Sequence, residues 1–397
     1  MAAVRASGVL IQADTDGTAY QRAVSQTSSL GSNSDPSRSP VFHDFLVPLS
    51  VPEPGLRLLA IAIDDGGIRG LSMLMMLRKL LYRVQHTSNL STLPRPCEYF
   101  DFIAGSGTGG LIAMLLGRLQ LSIDHAIECY LRIVNHVFAQ FKQDGSFKTT
   151  ALDKVLREIA QRFAAGEDRS IYDTRPSPCR TFVCAREDGS PDTGNIRKLR
   201  SYDRSKDPGM QCTIVEAVRA TMGHPEFFKP VSISRGATSV SFVDAGSDHY
   251  NPVFDLLEEV QALCPARHIA YYLSLGAGTA DTIGDNPSRW LVNRSRLPPP
   301  LLAKLRQLAD RCEDVAAAFE REHGNMDGKY FRLSPSLPVY DGRIRWEEEE
   351  ELDGIVSPYF ASIKDRVQTL EVLMVDEREL VTSRSCSTYE GQYRRGP

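Results

Sequence analysis

Three short turns hold the residues whose types and spacing suit chemistry. The first, Asp64-Asp65-Gly66-Gly67-Ile68-Arg69-Gly70, follows the apolar run Leu58–Ile63, and the second, Gly105-Ser106-Gly107-Thr108-Gly109-Gly110, follows Phe100–Ala104. Glycines in such turns let backbone N–H groups approach a ligand or a developing anion, and a helix starting behind them adds positive potential. A tight strand-to-helix connection would explain one such turn; two in one chain favour a site. A third turn, Val243-Asp244-Ala245-Gly246, carries a carboxylate whose plain reading is that it caps its own turn. His249 lies nearby and reads as a surface or packing histidine before a chemical one.

The second turn also fits G-x-G-x-x-G, the dinucleotide fingerprint. A nicotinamide or flavin site would need a second strand ending in an acidic residue about twenty residues on. Leu121–Phe141 reads instead as a helix entered through Ser122, so a dinucleotide-binding module stays a remote alternative.

The elements that must position these turns follow from periodicity. Leu58–Ile63 is a continuous apolar run, as a strand buried on both faces should be. From Leu71 to Gln85, apolar residues at 73, 74, 77, 80, 81 and 84 have helical spacing. Further strands are expected at Phe100–Ala104, Thr181–Ala185, Val240–Val243 and Ile269–Leu275, and helices at Gly109–Leu119, Ile214–Met222, Val253–Leu263 and Leu301–His323. This alternation predicts an α/β fold with a parallel-rich central sheet covered by helices on both faces. The acidic run Glu347–Glu351 reads as a solvated helix face. Ser28–Pro40 has turn and disorder composition, so residues 1–54 are expected to be a polar tail and 381–397 a second one, flanking a domain over 55–380.

The chain has 397 residues, is 42% hydrophobic and 24% charged, and carries a net charge of −4, which disfavours nucleic acid as a partner. Its eight cysteines contain no C-x-x-C pair, which argues for reduced thiols and against a zinc site. No basic-then-apolar opening and no run near 18 apolar residues occur, so a cytoplasmic protein is expected.

At the three turns the chain resembles patatin-like phospholipases, most closely their fungal-type members. The family pattern D-G-G-G-x-R-G is matched by Asp64–Gly70 except at Asp65, and G-x-S-x-G is matched within Tyr99–Ala113 except that Gly107 stands where the serine belongs. Val243–Gly246 with Asn251-Pro252 fits the family's D-G-A or D-G-G turn, with Ala245 for the first glycine. Tyr172–Pro176, Cys179–Val183, Pro225–Pro230 and Ser274–Gly278 also look like the fungal pattern, and the resemblance spans roughly 56 to 375.

The resemblance implies an acyl hydrolase of lipid metabolism that works with a Ser–Asp dyad, needs no metal or cofactor, and acts on lipid or other esters with peripheral membrane contact. By position, Gly107 holds the nucleophile's place, Asp244 is the general base, Gly66 and Gly67 are the oxyanion donors, and Arg69 is a nearby positive group. Glycine cannot attack an ester, and loss of such a serine removes on the order of 10⁶ in turnover. A carboxylate at Asp65 within about 5 Å of an oxyanion would oppose it by about 3 kcal/mol, unless it points to solvent or caps the next helix. An impaired hydrolase is therefore expected, with a non-catalytic lipid- or protein-binding pseudoenzyme as one alternative. An enzyme using Ser106 is another, although adjacent turn residues point in different directions.

Overall fold

The computed structural model describes residues 11–13, 19–21 and 58–376, the last range apart from 165, 167–168, 176–178, 190–195, 204–210, 236–237, 266–268, 284–289, 293–294, 324–328, 336–343 and 346–347. The chain divides into two units, Met1–Leu56 and Arg57–Pro397. In the first, β1 (Ile11–Ala13) pairs antiparallel with β2 (Ala19–Gln21). The rest of the expected 1–54 tail, the 381–397 tail and Pro176 of the Tyr172–Pro176 motif lie outside the described residues.

The second unit begins with β3 (Leu58–Ile63), a 3₁₀ turn at Gly67–Gly70 and α1 (Leu71–Thr87). Next come β4 (Phe102–Ser106), α2 (Gly107–Ala113), α3 (Ile123–His136) and α4 (Thr149–Phe163). β5 (Arg180–Glu187), β6 (Arg197–Arg200), α5 (Ile214–Thr221), β7 (Val231–Arg235) and β8 (Thr238–Val243) follow. After α6 (Val253–Leu263) and β9 (Ile269–Leu275), β10 (Trp290–Val292) and β11 (Ser295–Arg296) precede α7 (Pro299–His323). The described chain ends with β12 (Tyr330–Leu333), β13 (Ile344–Arg345), α8 (Glu349–Ser362) and a further helix, α9, over 364–376.

The main sheet has the order β12-β9-β3-β4-β5-β8-β7, with β6 also on β5. β12, β9, β3, β4 and β5 are parallel, while β6, β8 and β7 pair antiparallel. The fold is thus the parallel-rich α/β arrangement the alternation predicts. β9 and α6 have the expected bounds, and the Ser122 hydroxyl accepts from His125 N at the start of α3. The strand expected at Phe100–Ala104 runs two residues later, because Tyr99 and Phe100 are spent on the turn out of the 3₁₀ segment Pro96–Glu98. The helix expected to Leu119 ends its α turns at Ala113 and closes as a π turn over Met114–Arg118, and α3 stops at His136 rather than Phe141. The sheet is covered on both faces: one core takes in α1 to α5, and a second, around Ala62, Phe102, Ala104, Cys184 and Tyr272, packs beneath α6 and Phe319 of α7. Among the described residues no helix is long and apolar enough to cross a membrane.

Candidate active site

Register brings the turns together. Ile63 of β3 pairs with Gly105 of β4 and with Leu275 of β9, so both glycine-rich turns leave the sheet at one level. Gly66 N donates to Thr108 Oγ1 at 3.0 Å, joining the first turn to the second. Asp65 N donates to the Tyr250 carbonyl at 2.8 Å, joining the first to the loop that follows Asp244. Asp64 anchors the first turn from below: its Oδ2 accepts from the Arg332 guanidinium at 2.6 Å, and Arg332 also reaches Glu313 at 2.7 Å and Ser274 at 2.8 Å. Burial pushes the Asp64 carboxyl up to about 7, against the opposing charge of Arg332.

The second turn keeps an elbow without a side chain. Ser106 is extended at φ −124° and ψ 145°, and Gly107 then turns to φ +54°, a left-handed conformation that other residues adopt at a cost of roughly 1–2 kcal/mol. Gly107 N donates to Thr221 Oγ1 at 2.9 Å. A Cβ placed on Gly107 would lie 2.0 Å from Asp65 Cγ and 2.1 Å from its Oδ2. The Asp65 carboxyl group therefore fills the space that a side chain at 107 would use.

Asp65 does not point to solvent; it is 6% exposed, turned into the site, and bonds the first amide of the 3₁₀ turn that follows it. Its Oδ1 accepts from Gly67 N at 3.1 Å, Thr108 N at 3.1 Å and Thr108 Oγ1 at 3.0 Å. The amides of Gly66 and Gly67 are thus both engaged, one by Thr108 and one by Asp65.

Asp244 is 2% exposed and its Oδ2 has no hydrogen-bond partner. Burial pushes its carboxyl up to about 6; Asp65 adds to the rise, while His224 and Arg186 oppose it. It opens on a cleft of about 370 Å³ whose walls include Arg186, His224, Tyr250, Lys304 and Arg311. On the other side of His224 an apolar pocket with room for about 20 Å³ meets Asp65, Gly67 and Thr108. It is nearly filled by its own rings: Phe147 packs on Phe138 at 5.0 Å and stacks on Phe228 at 5.6 Å.

The other expected residues lie elsewhere. Ser106 is fully buried, its Oγ is unpartnered, and it lines neither cavity. By strand alternation it shares the face of Phe102 and Ala104, which pack towards α6. Arg69 donates to the carbonyls of Gly278 at 2.8 Å and Ala277 at 3.5 Å, so its guanidinium holds the turn after β9 rather than facing the elbow. His249 contacts Asp255 through Nδ1 at 2.9 Å. The outer glycines of the G-x-G-x-x-G match are spent on packing: a Cβ at Gly105 would lie 2.1 Å from Gly109 O, and one at Gly110 would lie 2.6 Å from Thr221 Cγ2. With α3 where a second strand would be needed, the dinucleotide alternative loses its structural context. Among the described residues no cluster of three His, Cys, Asp or Glu side chains is placed to hold a metal.

Thr108, Thr221 and His224 were not singled out in the sequence, although all three line or bond the site. Thr108 lies inside the second glycine-rich turn, but nothing local in the sequence shows that its hydroxyl bridges Gly66 and Asp65. Thr221 ends α5, and only packing brings it to the elbow.

The fold is thus a parallel-rich α/β sheet with two glycine-rich turns leaving it at one level and a buried aspartate, Asp244, after β8. The patatin-like phospholipase family model matches residues 61–257. The chain is 46% identical over 320 residues to patatin-like protein 1 of Oryza sativa subsp. indica, covering 70% of this chain and 74% of that protein. The chain belongs to the patatin-like phospholipase family. It is also 23% identical over 349 residues to calcium-independent phospholipase A2-gamma of Oryctolagus cuniculus, covering 82% of this chain but only 40% of that relative. A third relative, 25% identical over 208 residues and covering 48% of this chain, is called probable inactive patatin-like protein 9, from Arabidopsis thaliana.

Proposed function

We propose that this chain is a lipid-ester-binding member of its family that does not turn esters over by serine–aspartate chemistry. The observation that carries the reading is Gly107 at the elbow, where the backbone has the nucleophile's conformation and no atom to attack with. Asp244 takes the base position and the Gly66 and Gly67 amides the oxyanion position; the base has no hydroxyl to serve and both amides are already bonded. Lipid ester is the ligand class that the phospholipase relatives' names support. The cytoplasmic placement, the peripheral membrane contact and the domain extent of 55–380 belong to the same proposal. The competing reading, hydrolysis through Ser106, is disfavoured by the face on which Ser106 lies.

The test is ester and phospholipid hydrolysis by the wild-type protein beside Asp244→Asn. Equal background rates are expected. Wild-type turnover that Asp244→Asn abolishes would sink the proposal, and its loss on Ser106→Ala would then identify the nucleophile.

A further inference from the structure

We infer that Asp65 is a built-in occupant of the site: its carboxyl group stands in the place of the missing nucleophile's side chain and takes the amides that would hold an oxyanion. The inference rests on the reading of the elbow above and adds a second closure to it. The missing serine removes the attack; Asp65 removes the space and the donors.

The geometry is specific. The distances from Asp65 Oδ1 to Gly67 N and Thr108 N, both 3.1 Å, match those expected between amides and a developing oxyanion. Thr108 N belongs to the residue after the elbow, the usual second source of such a donor. Thr108 Oγ1 completes the set, donating to Oδ1 and accepting from Gly66 N. Asp65 is not among the residues with positive φ, so its backbone carries an aspartate there without left-handed strain. The same carboxyl group also reaches the wall of the apolar pocket beside Gly67 and Thr108. It therefore sits as the carboxylate of a released acyl product would sit, with its oxygen on the amides and apolar side chains beyond.

Residues 65 and 107 are consequently one coupled pair. A serine at 107 would place its Cβ 2.0 Å from Asp65 Cγ, so the carboxyl group would have to leave and surrender all three bonds inside a buried site. Restoring the serine alone is then not enough, which differs from an independent loss at each position.

Two measurements test this. The first compares fluorophosphonate labelling and melting of wild type, Asp65→Gly, Gly107→Ser and the double variant. In the reaction probed, the serine Oγ–P bond forms as P–F breaks, and the hydroxyl proton passes to Asp244. Labelling is expected in the double variant alone, with Gly107→Ser melting below both wild type and the double variant. Equal labelling of Gly107→Ser and the double variant would overturn the inference, as would a folded double variant that does not label. The second measurement is chemical rescue by acetate. Asp65→Gly leaves the Gly67 and Thr108 donors vacant, and acetate should raise its melting temperature saturably, by a few degrees, without a matching effect on wild type. An equal response of the two proteins would overturn the inference even if the serine variants fail to fold. Because this arm is read by melting, it decides the role of Asp65 even where wild-type protein hydrolyses ester by another route.

Discussion

Asp244 presents a carboxyl oxygen with no partner in a site 2% exposed, and burial dominates its chemistry. The folded protein holds the Asp244 proton up to about pH 6, whereas the unfolded chain releases it near its ordinary value of 3.8. Its contribution to stability is therefore complete below about pH 4 and is lost as pH rises through about 6, a difference of about 3 kcal/mol. Asp244→Asn removes that loss. The variant should be more stable than wild type at about pH 8, by up to about 3 kcal/mol, and no more stable below about pH 4. Urea unfolding at the two pH values checks this; an asparagine variant weaker at high pH would mean that the bond from Tyr250 outweighs the burial of the charge. Gly107 makes the complementary point. In a hydrolase the strain of a left-handed elbow is kept for reactivity. Here glycine removes the strain while the elbow itself remains.

Among the elements, the contact between β3 and the start of α2 decides whether the turns stay in place. Gly109 allows it, since a Cβ there would lie 2.2 Å from Asp64 O and 2.3 Å from Ile63 O, both rigid backbone atoms. Gly109→Ala should thus destabilise by about 3 kcal/mol, the upper end of overpacking costs. Gly354 in α8 is the control, because a Cβ there would meet nothing within 4 Å. Gly354→Ala should raise stability by up to about 1 kcal/mol, as glycine is a poor helix former. Thermal melts of the two variants check both signs. Arg118 shows a comparable device: at the end of the π turn its guanidinium donates to the carbonyls of Ser170, Ile171 and Tyr172, so one buried cation holds the segment carrying the Tyr172–Pro176 motif.

At the scale of the molecule, Arg332 ties together residues far apart in sequence. From β12 it binds Asp64 after β3, Ser274 in β9 and Glu313 in α7. Removing it would leave the Asp64 and Glu313 carboxylates without the cation that bonds them both, and breaking a buried ionic cluster of this kind typically costs about 3–5 kcal/mol. Arg332→Met should therefore lower the unfolding free energy by about 3–5 kcal/mol. Denaturant titration measures the loss, and a near-neutral result would show that the first turn is held by its backbone bonds alone.

Local pattern in the sequence determined the sheet class, the bounds of β9 and α6, and the glycine-rich turn that follows β4. Each of these depends on residues adjacent in the chain: a continuous apolar run, a helical repeat, or one residue type after a strand. The direction of Asp65 was decided only by the tertiary structure. Two of the three donors to its Oδ1 come from Thr108, 43 residues along the chain, and the space it fills belongs to Gly107. That Asp244 is buried and keeps its proton up to about pH 6 was equally out of reach of the sequence, because the burial that raises it comes from packing among β5, β8 and α7. A carboxyl group settles where its donors and its room are. Here both are supplied by other strands and helices.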